Sequence, residues 1–283
     1  NNILKHPENQ YLNLINRVIK HGVKEEGRNG MTRSLLGESM KFDLTNNTIP
    51  LITTKKLAWK TCLKELFWFI EGDTSNINLK KQNVKIWNKN ASREFLDSRG
   101  LQHLVEDDLG PVYGHQWRFF NAPYYNFNTS YENRGVDQLQ NVIDQLSNKE
   151  TRNSRRIILN AWNPCQIDEM ALPPCHVLSQ YIVKDDELTT ILYQRSGDIG
   201  LGIPFNIASY SFLTHILAKH CDLNAKEFIH IIGDAHIYEE HVDELQKQLK
   251  RRPHDFPKIE ILNKNENIND YNLEDINVVD YIY

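Results

Sequence analysis

Apolar positions along the chain fall into two rhythms, a helical one and an alternating one. Leu14, Ile15, Val18 and Ile19 recur at helical spacing within Tyr11 to Lys20, and Gly22 supplies a stop. From Cys62 to Glu71, at about 100° per residue, Lys60, Lys64 and Glu71 fall on one narrow polar stripe. Leu63, Leu66, Phe67, Trp68, Phe69 and Ile70 fill the rest, which predicts a largely buried helix. Glu65 lies off that stripe, between Trp68 and Phe69. Val136, Leu139, Val142, Ile143 and Leu146 mark a further amphipathic helix, and Asn206 to Cys221 a mostly apolar one. Tyr238, Val242, Leu245 and Leu249 predict a buried stripe on a helix from His236 to Lys250, with Asp234 as its cap and Pro253 beyond its end.

Alternating runs predict strands. Cys175 to Val183 and Glu187 to Gln194, joined by the polar turn Lys184-Asp185-Asp186, read as a hairpin that Arg195 ends. Ile157 to Trp162 is a strand opened by Arg155-Arg156, and Glu227 to Ile232 is another. Leu51 to Lys56 reads as extended, and Val84 to Asn88 as short and β-like. Asp108 to Trp117 reads as a glycine-rich loop, Gly27-Arg28-Asn29-Gly30 as a loop and Asn121 to Arg134 as a surface excursion. Lys258 to Tyr283 is polar with β-like patches.

The chain has 283 residues, enough for one substantial core. A net charge of −4 without a dominant basic block disfavours nucleic acid as the main partner. Lys250-Arg251-Arg252 reads as a solvated helix end. The four cysteines, Cys62, Cys165, Cys175 and Cys221, lack metal spacing and a dense disulfide framework, which favours a reducing compartment, the cytoplasm. No run approaches transmembrane length and no signal peptide is visible.

The candidate chemistry centres on Cys175. Pro173-Pro174 rigidifies its approach. The hairpin would deliver this thiol and the Arg195 guanidinium to one neighbourhood, and a fixed cation favours the nucleophilic thiolate. His176 follows directly, but neighbours on a strand point to opposite faces, so a Cys-His protease pair is disfavoured. A lone cysteine is otherwise a buried small hydrophobe. Glu65 admits two readings: a desolvated general acid or base, or a buried carboxylate paired with a structural arginine. Arg155 and Arg156 suit an anion site through the planar guanidinium fork, or are a solvated pair at a strand start.

Three stretches carry a family resemblance. Ala171-Leu172-Pro173-Pro174-Cys175-His176, the run from Gln194-Arg195-Ser196-Gly197-Asp198 through Gly202-Ile203-Pro204-Phe205-Asn206 to Tyr210, and Gly233-Asp234-Ala235-His236-Ile237-Tyr238 closely resemble thymidylate synthases. The resemblance runs from about Gln10 to Tyr281. Ser92 to Gly100 and Gly197 resemble the eukaryotic-type branch. The resemblance implies an α+β fold, with a large mixed β-sheet flanked by helices and two subunits associating through their sheets. It implies reductive methylation of dUMP to dTMP with 5,10-methylenetetrahydrofolate as cosubstrate, giving dihydrofolate, and no metal.

It also implies residue roles. Cys175 adds to the uracil ring, Glu65 relays protons, and Tyr113 lies close to the reacting carbon. Arg195 serves phosphate and thiolate, and Asn206 reads uracil where cytosine enzymes carry Asp. Arg28, with Arg33 as rival, reaches the phosphate, as do Ser196 and, from the partner subunit of a homodimer, Arg155 and Arg156. Gln194, Gly197, Asp198, Ile237, His236 and Tyr238 complete the nucleotide site, the last two at the deoxyribose hydroxyl; His176 joins the catalytic set. Lys55, Ile86, Trp87, Asp198, Leu201, Gly202 and Phe205 face the folate. Residues 1–9 are expected as a stub or linker before a domain at 10–283. Some relatives carry a dihydrofolate reductase domain upstream. The given sequence ends at Tyr283, short of the tail that closes over ligands in the family. The rivals are a deoxyuridylate hydroxymethylase of the same fold and a catalytically silent homologue with a binding role. A cysteine hydrolase fails on the Cys175/His176 geometry.

Overall fold

The computed structural model describes residues 6–27 and 29–283. Its helices are α1 (Asn9–His21), α2 (Trp59–Ile70), α3 (Asn76–Lys81), α4 (Arg93–Ser98), α5 (Tyr113–Phe119), α6 (Gln138–Ser147), α7 (Gly202–His220) and α8 (Val242–Gln248). Its strands are β1 (Val23–Gly27), β2 (Gly30–Asp43), β3 (Ile158–Asn160), β4 (His176–Lys184), β5 (Glu187–Asp198), β6 (Asn224–Tyr238), β7 (Lys258–Ile261) and β8 (Ile276–Val279). The chain forms two compact units. The first holds Trp59 and the described residues before it, Val183–Lys264 and Glu274–Tyr283; the second holds Lys60–Ile182 and Asn265–Leu273.

The first unit is built on long strands in the order β1-β2-β6-β5. β1/β2 and β2/β6 pair antiparallel and β5/β6 parallel, so the sheet is mixed. Phe228, His230 and Ile232 point inward from β6 while Ile229 and Ile231 stay half-exposed, the alternation that a half-buried strand requires. Helix α7 packs on β5 and β6. Fourteen of its residues are buried, among them Ile207, Phe212 and Leu213, and the Thr214 hydroxyl, which donates to Tyr210 O, lies 2.8 Å from the Thr190 hydroxyl on β5. Helix α1 packs on β2 and β6, burying Tyr11, Leu14, Ile15 and Val18. The fold class is α+β, as the resemblance implied.

Near the ends of β5 and β6 the burial alternation changes phase. In β5 the inward set passes from Thr190, Leu192 and Gln194 to Gly197; in β6 it passes from Ile232 to Ala235 and Ile237. Ser196 pairs with Asp234, so the two strands step together. A Cβ on Gly233 would meet the Arg195 carbonyl oxygen at 2.7 Å, which excludes a side chain there. The step leaves Ser196, Asp198, His236 and Tyr238 half-exposed.

The second unit gathers α2 through α6 and the β3/β4 pair, which is antiparallel with Leu159 opposite Ser179. Its core is aromatic. Phe69 lies 4.8 Å from the Tyr113 ring and 5.5 Å from Trp117, and Trp68 lies 6.0 Å from Trp87. The turn into α5 needs Gly110: its φ is 73°, and a Cβ would sit 2.2 Å from the Glu169 carbonyl oxygen.

Several sequence expectations are corrected. Val84 to Asn88 is a series of turns, closed by Asn88 N–H on Lys85 O, because the run finds no partner strand. The loop expected over 108–117 becomes α5 from Tyr113 onward, once Gly110-Pro111 has turned the chain. β6 continues through Tyr238, so Asp234 caps no helix; a 3-10 turn follows at Glu239–His241 and α8 begins at Val242. Arg195 lies inside β5, which runs to Asp198. Arg155 and Arg156 sit in a turn ahead of β3. Leu51 to Lys56 forms bends in place of a strand. The excursion 121–134 is not all surface: Ala122 and Tyr131 are buried, with Tyr131 stacked on Tyr124. Arg251 donates to Thr54 O at 2.7 Å, so the basic cluster is not wholly solvated. Of the expected stub, residues 1–5 lie outside the described residues, whereas Glu8 is buried and Asn9 opens α1.

Candidate active site

The expected site residues fall into two groups, one on each unit. In the second unit, α2 is apolar around almost its whole circumference and carries Glu65 inward. Glu65 is 6% exposed, and burial pushes its carboxyl up to about 7. The Trp87 indole N–H donates to Glu65 Oε2 at 2.9 Å, which favours the anion and offsets part of that rise. Trp87 is itself buried, while Ile86 beside it is exposed. The group is therefore a carboxylic acid poised to exchange a proton near neutral pH.

Tyr113, in the first turn of α5, presents its phenol oxygen to the approach to β4. That oxygen accepts the backbone N–H of Cys175 at 2.8 Å and of His176 at 3.1 Å. Burial, with Cys175 and Glu65 nearby, raises the Tyr113 pKa far above its ordinary value, so the hydroxyl stays neutral. Cys175 is half-buried at a bend after Pro174, and His176 begins β4, buried with its ring 5.2 Å from that of Tyr113. The second unit thus brings Glu65, Trp87, Tyr113, Cys175 and His176 into one cluster. Arg155 and Arg156 are exposed in their turn, where Arg155 O accepts from Gln180.

In the first unit, the end of β5 and the start of α7 form a polar array. Gln194 Nε2 donates to Ser196 O and to Asn206 Oδ1, both at 3.0 Å, and Gln194 Oε1 meets His230 Nε2 at 2.8 Å. A peptide carbonyl can only accept, so the Ser196 contact fixes which end of the Gln194 amide is which. Asn206 must then turn its oxygen to Gln194 and its NH2 away. Gly197 packs closely beside them: a Cβ there would lie 2.4 Å from Ile203 Cδ1, so the Ile203 side chain would have to shift. Asp198 Oδ1 accepts from Gly200 N at 2.9 Å and Leu201 N at 3.3 Å, closing the loop into α7. Leu201 is 59% exposed, Gly202, Phe205 and Arg195 are half-buried. Lys55 donates to Gly200 O at 2.8 Å; burial lowers its pKa, against the pull of Asp198.

On β6, His236 Nδ1 lies 3.2 Å from Asp234 Oδ1, the Tyr238 ring stands edge-on to His236, and Ile237 is fully buried. Arg28 lies outside the described residues. Arg33 is engaged: it donates to both Glu239 carboxylate oxygens, at 2.5 and 3.0 Å, and to Ile19 O at 2.7 Å. Among the described residues no set of three or more His, Cys, Asp or Glu side chains is arranged to hold a metal ion. A cavity of about 720 Å³ in the second unit, lined by Glu71, Asp73, Arg118, Glu132 and Asp137 among others, contains none of the expected site residues.

A buried acid near neutrality, a cysteine pinned through its backbone and an amide of fixed polarity fit the chemistry that the sequence motifs implied. The thymidylate synthase family model matches residues 9–283. The chain belongs to the thymidylate synthase family. The bifunctional dihydrofolate reductase-thymidylate synthase of Paramecium tetraurelia is 50% identical over 278 residues, covering 98% of this chain and 59% of that protein. That of Leishmania major is 49% identical over 280 residues, covering 98% and 54%. The thymidylate synthase of Ascaris suum is 49% identical over 270 residues, covering 95% and 91%. The chain thus spans about half the length of the bifunctional relatives. Within this thymidylate synthase family chain, sequence reasoning missed the Trp87–Glu65 bond and the Lys55–Gly200 bond. Both join side chains to partners far along the chain, and no local pattern announces them.

Proposed function

We propose that this chain converts dUMP to dTMP, with 5,10-methylenetetrahydrofolate as cosubstrate and dihydrofolate as the second product. The carrying observation is the cluster of Glu65, Trp87, Tyr113 and Cys175: a buried carboxyl raised to about 7, beside a tyrosine that accepts from the cysteine's own backbone. On this reading the Cys175 sulfur bonds to C6 of the uracil ring, and the electron pair moves to the C5–C4–O4 enolate. Glu65 exchanges protons on the O4 and C5 side through bound water. The folate supplies the one-carbon unit and the hydride. Asn206, its NH2 turned away from Gln194, donates to O4 and accepts from N3–H. His176 belongs to the catalytic set.

Arg28, Arg195 and Ser196 take the phosphate, with Arg155 and Arg156 of a second copy. Gln194, Gly197 and Ile237 line the nucleotide, and His236 and Tyr238 bond the deoxyribose hydroxyl. Ile86, Trp87, Asp198, Leu201, Gly202, Phe205 and Lys55 take the folate, Asp198 bonding the pterin. A homodimer is supported by the face of β5 and β6 opposite α7, where Ile191, Tyr193, Ile229 and Ile231 remain partly exposed in a row. The names of the bifunctional relatives support a dihydrofolate reductase fused to this chain, which would consume its dihydrofolate. Among the described residues no helix is long and apolar enough to cross a membrane, and no disulfide joins the four cysteines, which fits a cytoplasmic setting.

Incubation with 5-fluoro-dUMP and methylenetetrahydrofolate tests the reading. A peptide containing Cys175 should carry the mass of nucleotide plus folate; an unmodified peptide, together with no turnover of dUMP, overturns it.

A further inference from the structure

Glu8 occupies the position before α1 where a capping side chain would normally fold back on the helix, yet it makes no cap bond. Its carboxylate is fully buried and is spent elsewhere. Oε2 accepts from Thr53 N at 3.0 Å and from Thr53 Oγ1 at 2.5 Å. Oε1 accepts from Thr54 N at 2.9 Å and from Thr54 Oγ1 at 2.7 Å. Four donors from two consecutive buried residues thus converge on one carboxylate, the charge-assisted kind of hydrogen bond. Around them, Gln248 donates to Thr54 Oγ1 and Arg251 to Thr54 O. The bends at 53–54 have no strand partner to hold them, so side-chain bonds set their path: these at Thr53 and Thr54, and Tyr281 on either side, whose hydroxyl donates to Ile52 O and accepts from Leu57 N.

The next residue is Lys55, whose ammonium donates to Gly200 O. Three residues beyond Glu8, fully buried Tyr11 donates to Ile199 O at 2.8 Å. Two consecutive carbonyls of the loop that Asp198 closes are therefore held by donors that residues 8–11 place, one directly and one through Thr53-Thr54. We propose that Glu8 is a positioning residue for the folate subsite, holding Lys55 and, through it, the Ile199–Leu201 loop. The proposal rests on the assignment of Asp198 and Leu201 to the folate. Removing the carboxylate leaves buried Thr53 and Thr54 donors without acceptors, and the segment must shift to regain them.

The test compares the full chain with Glu8→Ala, Glu8→Gln, Lys55→Met and the double variant Glu8→Ala/Lys55→Met. Glu8→Ala should raise KM for methylenetetrahydrofolate about 10-fold while the dUMP dissociation constant moves less than about 2-fold. Lys55→Met should do the same, and in its background Glu8→Ala should add less than about 2-fold. Amide exchange at Gly200 and Leu201 should quicken in Glu8→Ala. Glu8→Gln, equal in shape but with a donor in place of one acceptor, serves if the alanine variant does not fold. Fully additive effects, an equal loss of dUMP binding, or unchanged exchange at 200–201 would each overturn the proposal. If the unaltered chain turns over no dUMP, the functional reading fails by itself, and the exchange comparison still decides whether Glu8 holds the loop.

Discussion

The Trp87 indole donates to Glu65 Oε2 across 2.9 Å, making a neutral N–H the partner of a buried carboxyl. A cation in that place would hold Glu65 ionised; an indole does not, and the acid remains near 7. The even choice that the sequence left between a working acid and a salt-bridged structural glutamate thereby tilts to the former.

Glu65→Gln keeps the acceptor for Trp87 but removes the titration. Turnover should fall about 10²- to 10⁴-fold, the range for loss of a general acid or base. Trapping of 5-fluoro-dUMP with nucleotide binding intact, beside lost dTMP formation, is the check.

The same residue gives a stability signature. The Glu65 carboxyl titrates at 4.5 ordinarily and at about 7 when folded. Between those values the folded chain keeps a proton that the unfolded chain has already released. Stability from this group therefore falls as pH rises through that window and is level above it, by about 2–4 kcal/mol in all. Glu65→Gln should melt higher than the parent at pH 8 and equally at pH 4.5. Equal melting at both values would contradict the burial argument.

Tyr113→Phe removes the acceptor shared by the Cys175 and His176 N–H groups. Stability should drop about 1–3 kcal/mol, the cost of buried donors left unmet. Adduct formation at Cys175 should slow, read from the time course of the trapped peptide.

Asn206→Asp cannot offer an NH2. Gln194 still donates to it, so the array holds while the outward donor is lost. Preference between dUMP and dCMP, as the ratio of kcat/KM values, should move toward dCMP by about 10-fold or more. An unchanged ratio would remove Asn206 as the base-reading group.

If Arg155 and Arg156 serve a second copy's site, Arg155→Ala/Arg156→Ala and Cys175→Ala should each be inactive alone. Mixed after reversible unfolding, they should regain about a quarter of parental activity, since half the dimers are hybrids with one intact site of two. No recovery would place the arginines in their own subunit's site.

Helices with strong stripes were legible from sequence. The apolar run 66–70 announced α2 and with it the burial of Glu65, because side-chain periodicity is a local property. β2 was not seen: Arg33, Ser34, Gly37, Glu38 and Ser39 offer little apolar alternation, and the strand exists because β6 and β1 pair with it on either side. The helix expected from His236 failed for a related reason. Ala235 and Ile237 continue β6 beyond a phase change that Gly233 permits, and a change of phase disguises an alternating pattern. Of the site, the motifs supplied the residues and the structure their polarity: the Ser196 carbonyl orients Gln194 and thereby Asn206, which no sequence pattern encodes.

The β2–β6 ladder runs from Asp43 opposite Glu227 to Thr32 opposite Tyr238. A ribosome adding about 5–20 residues per second makes β2 wait roughly 10–40 s for its partner. Through that interval the β2 segment of a nascent chain can pair with β1 only over residues 30–34, and residues 32–43 still await β6. Synthesis of this protein thus exposes an aggregation-prone edge, the stage at which shielding of β2 matters.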